Sequence, residues 1–309
     1  MHEDLKAAVA ADMPRLNEFL FDLIRMESVS ADGYDPSGVR LAGETLVDTL
    51  DEAGFSNSQL LESSSGHPAV FAEIPAPEDA PTVLLYAHYD VQPPGPIEEW
   101  ETGPFEPTER DGRIYGRGSS DDKAGIVMHL GAIAAHMSNG GSPVGVQLFL
   151  EGEEEAGSEG LVEILDKYSD LLNPDVIVIG DGGNWAVGTP AFISSLRGLV
   201  AVKLEIRTLK SAVHSGEYGG VVPDALMTLT RMLASLHDDE GNVAVLGIVS
   251  EEIGENAPDV SEDRVRRDTG AIDGLELIGH GSFSSRLWSR PSISILAIDA
   301  PPTAEAINQ

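Results

Sequence analysis

The feature that most constrains the fold is an alternation of short apolar, β-rich runs with longer helical patterns. The β-rich runs are AVFAEI (69–74), TVLLYAHYDV (82–91), VGVQLFLE (144–151) and DVIVIG (175–180). The helical patterns lie near residues 3–27, 37–54, 121–138 and 157–172. Apolar strands separated by amphipathic helices indicate an α/β fold with a largely buried sheet. We therefore predict a mostly parallel, twisted sheet with helices on both faces.

The pattern changes after the fourth run. SLRGLVAVKLEIRTL (195–209) predicts a long strand, VVPDALMTLTRMLASLHD (221–238) an amphipathic helix, and SISILAID (292–299) a further strand. A single hydrophobic core stops growing near about 250–300 residues, so a chain of 309 residues favours more than one core. We predict a first domain over residues 1–196 and a smaller α+β domain over residues 197–309.

Composition excludes several kinds of site and partner. The chain has no cysteine, which rules out thiolate zinc sites, thiol nucleophiles and disulfides, so any metal must be held by His, Asp or Glu. A formal net charge of −33 argues against nucleic acid as a partner, because phosphates require a basic surface. The charge is typical of a strongly solvated surface, and adaptation to high salt is the alternative.

Hydropathy gives no sign of a membrane segment. No apolar run approaches the roughly 20 residues that span a bilayer. The N-terminal stretch MHEDLKAAVAADMPRLNEFL contains early acids and no apolar signal core. We therefore expect a surface helix there, no membrane partner and a cytoplasmic protein.

Histidine and acidic residues follow the predicted strands. His88 and Asp90 lie at the end of the second β-rich run, and a spacing of two residues in a strand puts both side chains on one face. A metal-bound imidazole usually donates its other N–H to a carboxylate, which suits this pair. Asp181 follows the fourth run and precedes two glycines, where an acid suits a ligand that approaches the backbone closely. Solvated turn acids are the alternative for both aspartates.

Two further acidic clusters follow the same rule. Asp121 and Asp122 open a predicted helix after a glycine-rich approach, where capping of the helix is the alternative role. Three adjacent glutamates, Glu153, Glu154 and Glu155, come directly after the third β-rich run. Such carboxylates repel one another, and a buried strand end tolerates them only if a cation neutralises the charge.

The order of these motifs is more specific than any one of them. His-x-Asp, then Gly-Arg-Gly-x-x-Asp-Asp-Lys, then Glu-Glu after a strand, then Asp after a strand resembles the co-catalytic zinc exopeptidase family. That family contains carnosinases and other dipeptidases, aminoacylases, carboxypeptidase G-type enzymes and succinyl-diaminopimelate desuccinylases. Four segments are most similar to the carnosinase-type dipeptidase branch: EEWETGPFEP (98–107), GRGSSDDKA (116–124), EGEEEAGSEG (151–160) and HSGEYGG (214–220).

The resemblance implies a role for each matching residue. The implied metal ligands are His88, Asp121, Glu155 and Asp181, and the implied catalytic residues are Asp90, Glu154 and His214. Asp121 matches the carboxylate that bridges two metals, and its peptide bond to Asp122 is expected to be cis. Alignment of Glu-Glu-x-Gly-Ser-Glu-Gly makes Glu154 the general base and leaves Glu153 outside the site. His214 matches a histidine of the second domain that reaches the partner subunit's site and stabilises the oxyanion.

The implied activity is hydrolysis of the peptide bond of a dipeptide or small peptide by a water activated between two Zn²⁺ ions, with Mn²⁺ or Co²⁺ as alternatives. The implied assembly is a homodimer through the second domain. An N-acyl-amino-acid deacylase or a carboxypeptidase is the alternative within the family. A metal-binding chain without activity is the alternative of another class.

One expected ligand has no match. The family's second metal takes a histidine near the C-terminus of the full-length enzyme, and no histidine here fits it. We therefore expect a fragment whose second site is incomplete and which is weakly active or inactive by itself. We expect His129, His136, His237 and His280 to be surface or packing residues, and His67 belongs to no motif.

Overall fold

The computed structural model describes residues 2–193, 195–254, 257–302 and 304. The chain divides into two compact units, Met1–Phe192 and Ile193–Gln309. The domain boundary proposed after residue 196 lies next to this division. A lid or dimerisation role for the second unit remains a proposal.

Four helices belong to the first unit: α1 (His2–Arg25), α2 (Ser37–Glu52), α3 (Lys123–Ser138) and α4 (Leu161–Lys167). Each lies within one of the four helical patterns of the sequence or differs from it by a residue at one end. Helix α4 is shorter than its pattern because Gly157 adopts a left-handed conformation, with φ of 96°, and the helix begins only after Gly160.

Seven strands follow one another along the first unit: β1 (Ser56–Leu61), β2 (Ala69–Ile74), β3 (Thr82–His88), β4 (Thr108–Arg110), β5 (Arg113–Tyr115), β6 (Gly145–Glu151) and β7 (Val176–Ile179). Five of them form one sheet in the order β1-β2-β6-β3-β7, and β4 pairs with β5 separately. Strand β3 runs parallel to both β6 and β7, whereas β1–β2 and β2–β6 are antiparallel. The predicted α/β class is confirmed, and the sheet is mixed.

The direction of each pair follows from its connection. A few residues join β1 to β2, which is enough for an antiparallel neighbour. Helix α3 lies between the parallel neighbours β3 and β6 in the chain and provides the crossover that they need. Helix α4 connects β6 to β7, which pairs in parallel with the other side of β3.

The core occupies both faces of the sheet. Strand β6 is buried along its whole length, and its side chains alternate between two clusters. Leu148 and Leu150 belong to one core cluster with residues of α1, α2 and α3, such as Ile24 and Leu46. Phe149 belongs to a smaller cluster on the other face, which includes Ile164 of α4. Helices therefore cover both faces, as predicted.

The described residues of the second unit form four short helices: α5 (Ser215–Tyr218), α6 (Ala225–Ala234), α7 (Glu262–Thr269) and α8 (Phe283–Trp288). The side chains of Asp224, Ser261 and Ser282 accept backbone hydrogen bonds at the starts of α6, α7 and α8, as N-caps do. No helix among the described residues of either unit is both long enough and apolar enough to cross a membrane.

The strands predicted at 195–209 and 292–299 are wrong. Over the described residues from 195 onward, strand pairing is limited to a single bridge between His237 and Val243. Leu199 and Leu296 are almost fully exposed. A β-rich pattern gives a strand only where a second strand satisfies its backbone groups, and neither stretch has such a partner.

Candidate metal centre

The candidate site lies at the carboxyl edge of the parallel part of the sheet. His88 is the last residue of β3, Asp181 follows β7, and Glu154 and Glu155 lie in a short 3-10 turn after β6. Asp121 lies two residues before the start of α3. Because β3 pairs in parallel with both β6 and β7, the ends of the three strands lie side by side.

The His88 ring lies at the centre of this group. Its Nε2 atom is 2.9 Å from Oδ1 of Asp121 and 4.0 Å from a carboxylate oxygen of both Glu154 and Asp181. Among the described residues, two sets could hold a metal: His88 with Asp121 and Glu155, and His88 with Glu154 and Asp181. Within each set, the potential ligand atoms all lie within 4.8 Å of one another. The structure thus brings together four predicted ligands and the predicted base. It also groups Glu154 with potential ligands, which the sequence did not indicate.

Asp90 connects the histidine to the glutamate turn. Its buried carboxylate accepts hydrogen bonds from the backbone N–H of Glu154, at 3.2 Å, and of Glu155, at 3.0 Å. His88 Nδ1 is 3.3 Å from Asp90 Oδ1 and 3.1 Å from the Asp90 carbonyl oxygen. Both neighbours of Nδ1 are acceptors, so Nδ1 carries the hydrogen and Nε2 faces the acidic cluster.

The electrostatics of the cluster follow from burial and crowded charge. Burial opposes ionisation of His88, but the hydrogen bond and charge of Asp90, helped by Asp122 and Asp121, raise the pKa of the ring to about 10. Burial raises the pKa of both Glu154 and Glu155 above the ordinary glutamate value, and nearby carboxylates add to the effect. The cluster holds one imidazole against several carboxylates, so negative charge exceeds positive charge there.

The donor set fits divalent cations. One imidazole nitrogen and several carboxylate oxygens converge, and such nitrogen and oxygen donors suit Zn²⁺, Mn²⁺ or Co²⁺. A bound cation would also offset the repulsion among the carboxylates. The residues present therefore fit a resident metal.

Asp122 is more than the second acid of its motif. The Asp121–Asp122 peptide bond is cis, so that prediction is confirmed. The Asp122 side chain is 1% exposed, and its Oδ2 accepts a hydrogen bond from the backbone N–H of His88 at 3.3 Å. Burial raises the pKa of Asp122 to about 7. A Cβ atom at position 125 would collide with this carboxylate, so Gly125 makes room for it.

Gln92 also contacts the site, and the sequence analysis missed it. Its side-chain Nε2 donates to Oε2 of Glu155 at 2.8 Å and to the Glu155 carbonyl oxygen at 3.0 Å. The only signal was its place two residues after Asp90. Deeper in the sheet, the Tyr86 hydroxyl donates to Oε2 of the buried Glu151 at 2.7 Å.

Two further motif residues make hydrogen bonds within their own parts of the chain. Glu153 is buried, and its Oε2 accepts a hydrogen bond from the backbone N–H of Gly160 at 2.8 Å. His214 belongs to the second unit, where it caps helix α5: its Nδ1 accepts from the backbone N–H of Gly216 at 3.0 Å. The oxyanion role expected for His214 is not tested by this contact.

A mixed α/β sheet with histidine and carboxylates at its carboxyl edge is typical of the co-catalytic metal exopeptidases that the order of motifs predicted. The sequence model of Peptidase family M20/M25/M40 matches residues 84–224, a range that includes every predicted site residue. The chain belongs to this metallopeptidase family.

Named relatives are dipeptidases. The chain is 40% identical over 233 residues to a cysteinylglycine-S-conjugate dipeptidase of Corynebacterium striatum, covering 74% of this chain and 51% of that protein. It is 31% identical over 304 residues to a Beta-Ala-His dipeptidase of Rattus norvegicus, covering 93% of this chain and 58% of that protein. The chain thus spans about half the length of the curated relatives it matches.

Solved structures show the same fold. The M20 family metallo-carboxypeptidase Sso-CP2 from Sulfolobus solfataricus has a TM-score of 0.68 and 27% identity, covering 88% of this chain and 62% of that one. The di-peptidase Dug1p from Saccharomyces cerevisiae has a TM-score of 0.72 and 23% identity, covering 97% of this chain and 68% of that one. The second likeness concerns the fold alone.

Proposed function

We propose that this chain carries the metal centre of a dipeptidase, which hydrolyses the peptide bond of a dipeptide or small peptide. The observation that carries the proposal is the convergence of His88, Asp121, Glu154, Glu155 and Asp181 at one edge of the sheet. The dipeptidase names of relatives at 40% and 31% identity support the substrate class.

We propose two divalent ions, preferably Zn²⁺. His88, Asp121 and Asp181 would hold one, and Asp121 and Glu155 would hold the other, with Asp121 shared. When bound, the ions would lower the pKa of a water molecule and polarise the scissile carbonyl. Two ions are supported by the two sets of converging atoms, one of His88 with Asp121 and Glu155 and the other of His88 with Glu154 and Asp181. The sharing of Asp121 rests on the family resemblance.

The residues of the chain would do the remaining work. Asp90 holds the His88 ring with Nε2 toward the acidic cluster. Glu154 would accept the proton of the attacking water and deliver it to the leaving amine. Its raised pKa suits both transfers, because the group must hold a proton between them. Asp90 also fixes the backbone of the turn that carries Glu154.

Other parts of the proposal rest on the family resemblance. His214 would stabilise the oxyanion from the partner subunit of a homodimer that forms through the second unit. The expected cytoplasmic location likewise stays a proposal.

The alternatives differ in the bond that is cleaved. A carboxypeptidase is supported by the likeness to Sso-CP2, at 27% identity, whereas the dipeptidase relatives reach 40%. A deacylase would release an acyl group, and a metal-binding chain without activity would release nothing.

The test is a comparison of substrates. The zinc-loaded chain is incubated with cysteinylglycine, β-alanyl-histidine, a blocked tripeptide and an N-acetyl amino acid, and amine release is measured with and without chelator. We expect slow release from the dipeptides that the chelator abolishes, because the second ion has few ligands in this chain. Release from the blocked tripeptide or the acetyl amino acid alone would replace the proposal with one of the alternatives, and no release with any substrate would favour the inactive chain.

A further inference from the structure

A short segment after α1 lies against the strand end that carries the metal centre. Val29 forms a parallel bridge with Val91, and the backbone N–H of Val91 donates to the Ser28 carbonyl oxygen at 2.9 Å. Ser28 and Ser30, on either side of Val29, are 0% and 7% exposed. This segment is sixty residues away from the site in sequence, and no motif pointed to it.

The two buried serines make bonds of equal length to different acceptors. The Ser28 hydroxyl donates to the backbone carbonyl of Tyr89 at 2.6 Å. The Ser30 hydroxyl donates to Oδ2 of the Asp90 carboxylate, also at 2.6 Å. The Ser30 backbone is itself tied to a neighbouring loop, since His67 Nε2 lies 3.3 Å from the Ser30 carbonyl oxygen. One serine therefore fixes backbone, and the other fixes a side chain of the site.

Asp90 needs its four contacts to hold one orientation. The terminal torsion of an aspartate side chain has a broad energy profile, so its covalent geometry does not fix the carboxylate plane. His88 and the Glu154 N–H contact Oδ1, and the Glu155 N–H contacts Oδ2. Those three partners belong to the site that Asp90 organises. The Ser30 hydroxyl is the donor that comes from outside the site, on a separately anchored segment.

Removal of this donor would therefore act through Asp90. The Glu155 N–H would then be the remaining donor to Oδ2 of Asp90. A buried carboxylate with too few hydrogen bonds costs free energy. Rotation of the carboxylate would loosen the His88 ring and the turn that carries Glu154 together.

We propose that Ser30 is a positioning residue for the metal centre: its hydroxyl sets the orientation of Asp90, which in turn sets the His88 ring and the glutamate turn. The inference deepens the proposed function and rests on it for the activity readout only. Ser30 is not one of the residues proposed to hold a metal, and its hydroxyl contacts Asp90.

The test compares Ser30→Ala with Ser28→Ala, which removes an equally buried hydroxyl from the same segment. Three quantities are measured on the whole chain: the ring nitrogen signals of His88 by NMR of the metal-free protein, zinc affinity by calorimetry, and kcat and KM for a dipeptide. Thermal midpoints report any general loss of stability. We expect Ser30→Ala to broaden or shift the His88 signals and to weaken zinc affinity, kcat or both by about 10–100-fold, as loss of an outer partner of a metal site does. Ser28→Ala should lower the thermal midpoint and leave the other readouts within about twofold of the unmodified chain.

Equal losses in the two variants, or unchanged His88 signals and zinc affinity in Ser30→Ala, would overturn the proposal. If Ser30→Ala does not fold, the pair Ser30→Cys and Ser28→Cys repeats the comparison, because a thiol keeps the size of the side chain and is only a weak donor. An unmodified chain that binds zinc but cleaves no dipeptide would refute the proposed function, and the NMR and zinc readouts would still decide the role of Ser30.

Discussion

The first and second units both contain β-rich runs of sequence, but among the described residues only those of the first unit form a sheet. The run TVLLYAHYDV contains the paired strand β3, which ends at His88 of the metal centre. SLRGLVAVKLEIRTL has the same β-rich character, yet its described residues form no strand, and Leu199 is 94% exposed. The difference teaches that a β-rich run organises a site only where neighbouring strands pair with it, since pairing both satisfies the backbone and aligns the strand ends.

The largest expected effect lies inside the site, between two adjacent glutamates. Glu154→Gln should keep zinc and lose turnover by a factor on the order of 10²–10⁴, because an amide cannot accept the proton of the attacking water. Glu155→Gln should instead weaken zinc binding, because it removes a carboxylate ligand. The measurements are kcat for a dipeptide and zinc content after dialysis. Exchanged phenotypes would mean that the register of the three glutamates is shifted by one residue.

The next effect compares the loss of stability on truncation of a buried leucine in the first unit and of an exposed leucine in the second. Leu148→Ala removes a fully buried side chain of β6 and should lower the free energy of unfolding by about 2–5 kcal/mol. Leu199→Ala is the matched control at an exposed position and should change it by less than about 0.5 kcal/mol. Urea denaturation measures both. A comparable loss in the two variants would show that residues 195–209 pack in solution, and the contrast between the regions would fail.

A smaller effect concerns the pH dependence of stability and a buried histidine of α3, His129. Burial lowers the pKa of His129 from its ordinary value of 6.5, although a hydrogen bond with the Tyr86 carbonyl at 2.9 Å opposes this. Below the ordinary value the unfolded chain takes up a proton that the folded chain resists, so stability is full above pH 6.5 and falls as pH decreases toward the lowered pKa. Removal of the ring should reduce this loss by at most about 1.4 kcal/mol per pH unit.

The variant is His129→Gln, and His136→Gln is the control for loss of a histidine from the same helix. Urea denaturation between neutral and mildly acid pH should give a flatter pH dependence for His129→Gln than for the control. A pH dependence as steep as that of the unmodified chain would mean that His129 is protonated in the folded state.

Much of the first unit follows from its sequence. The periodicity predicts its four α-helices, and the apolar runs predict β2, β3 and β6 inside the sheet and β7 at its edge. The convergence of the motifs also follows, since acids placed after parallel strands must meet at one edge. Strand β1 escaped prediction because SNSQLL is polar and lies at the edge of the sheet, where half of its side chains need no apolar character.

The supporting contacts of the site could not be predicted from local pattern. Ser30 reaches Asp90 because the segment after α1 pairs with residue 91, and that pairing depends on the tertiary fold. Gln92 and Asp122 lie close to motif residues in sequence. The contact of Gln92 with Glu155 and that of Asp122 with the His88 backbone depend on the tertiary positions of their loops. Periodicity reports which face of an element is buried and says nothing about such contacts.

The central claim is that His88 anchors a metal at the carboxyl edge of the sheet. Calorimetric titration of zinc into the metal-free chain tests it, with His88→Ala as the variant and His136→Ala as the control. The residues assigned to one ion include an imidazole and two carboxylates, whereas the other ion has two carboxylates, which is a poor set for zinc. We predict about one tightly bound zinc in the unmodified chain and in the control, and its loss in His88→Ala. A tight site that survives in His88→Ala would contradict the account, because the metal would then bind elsewhere.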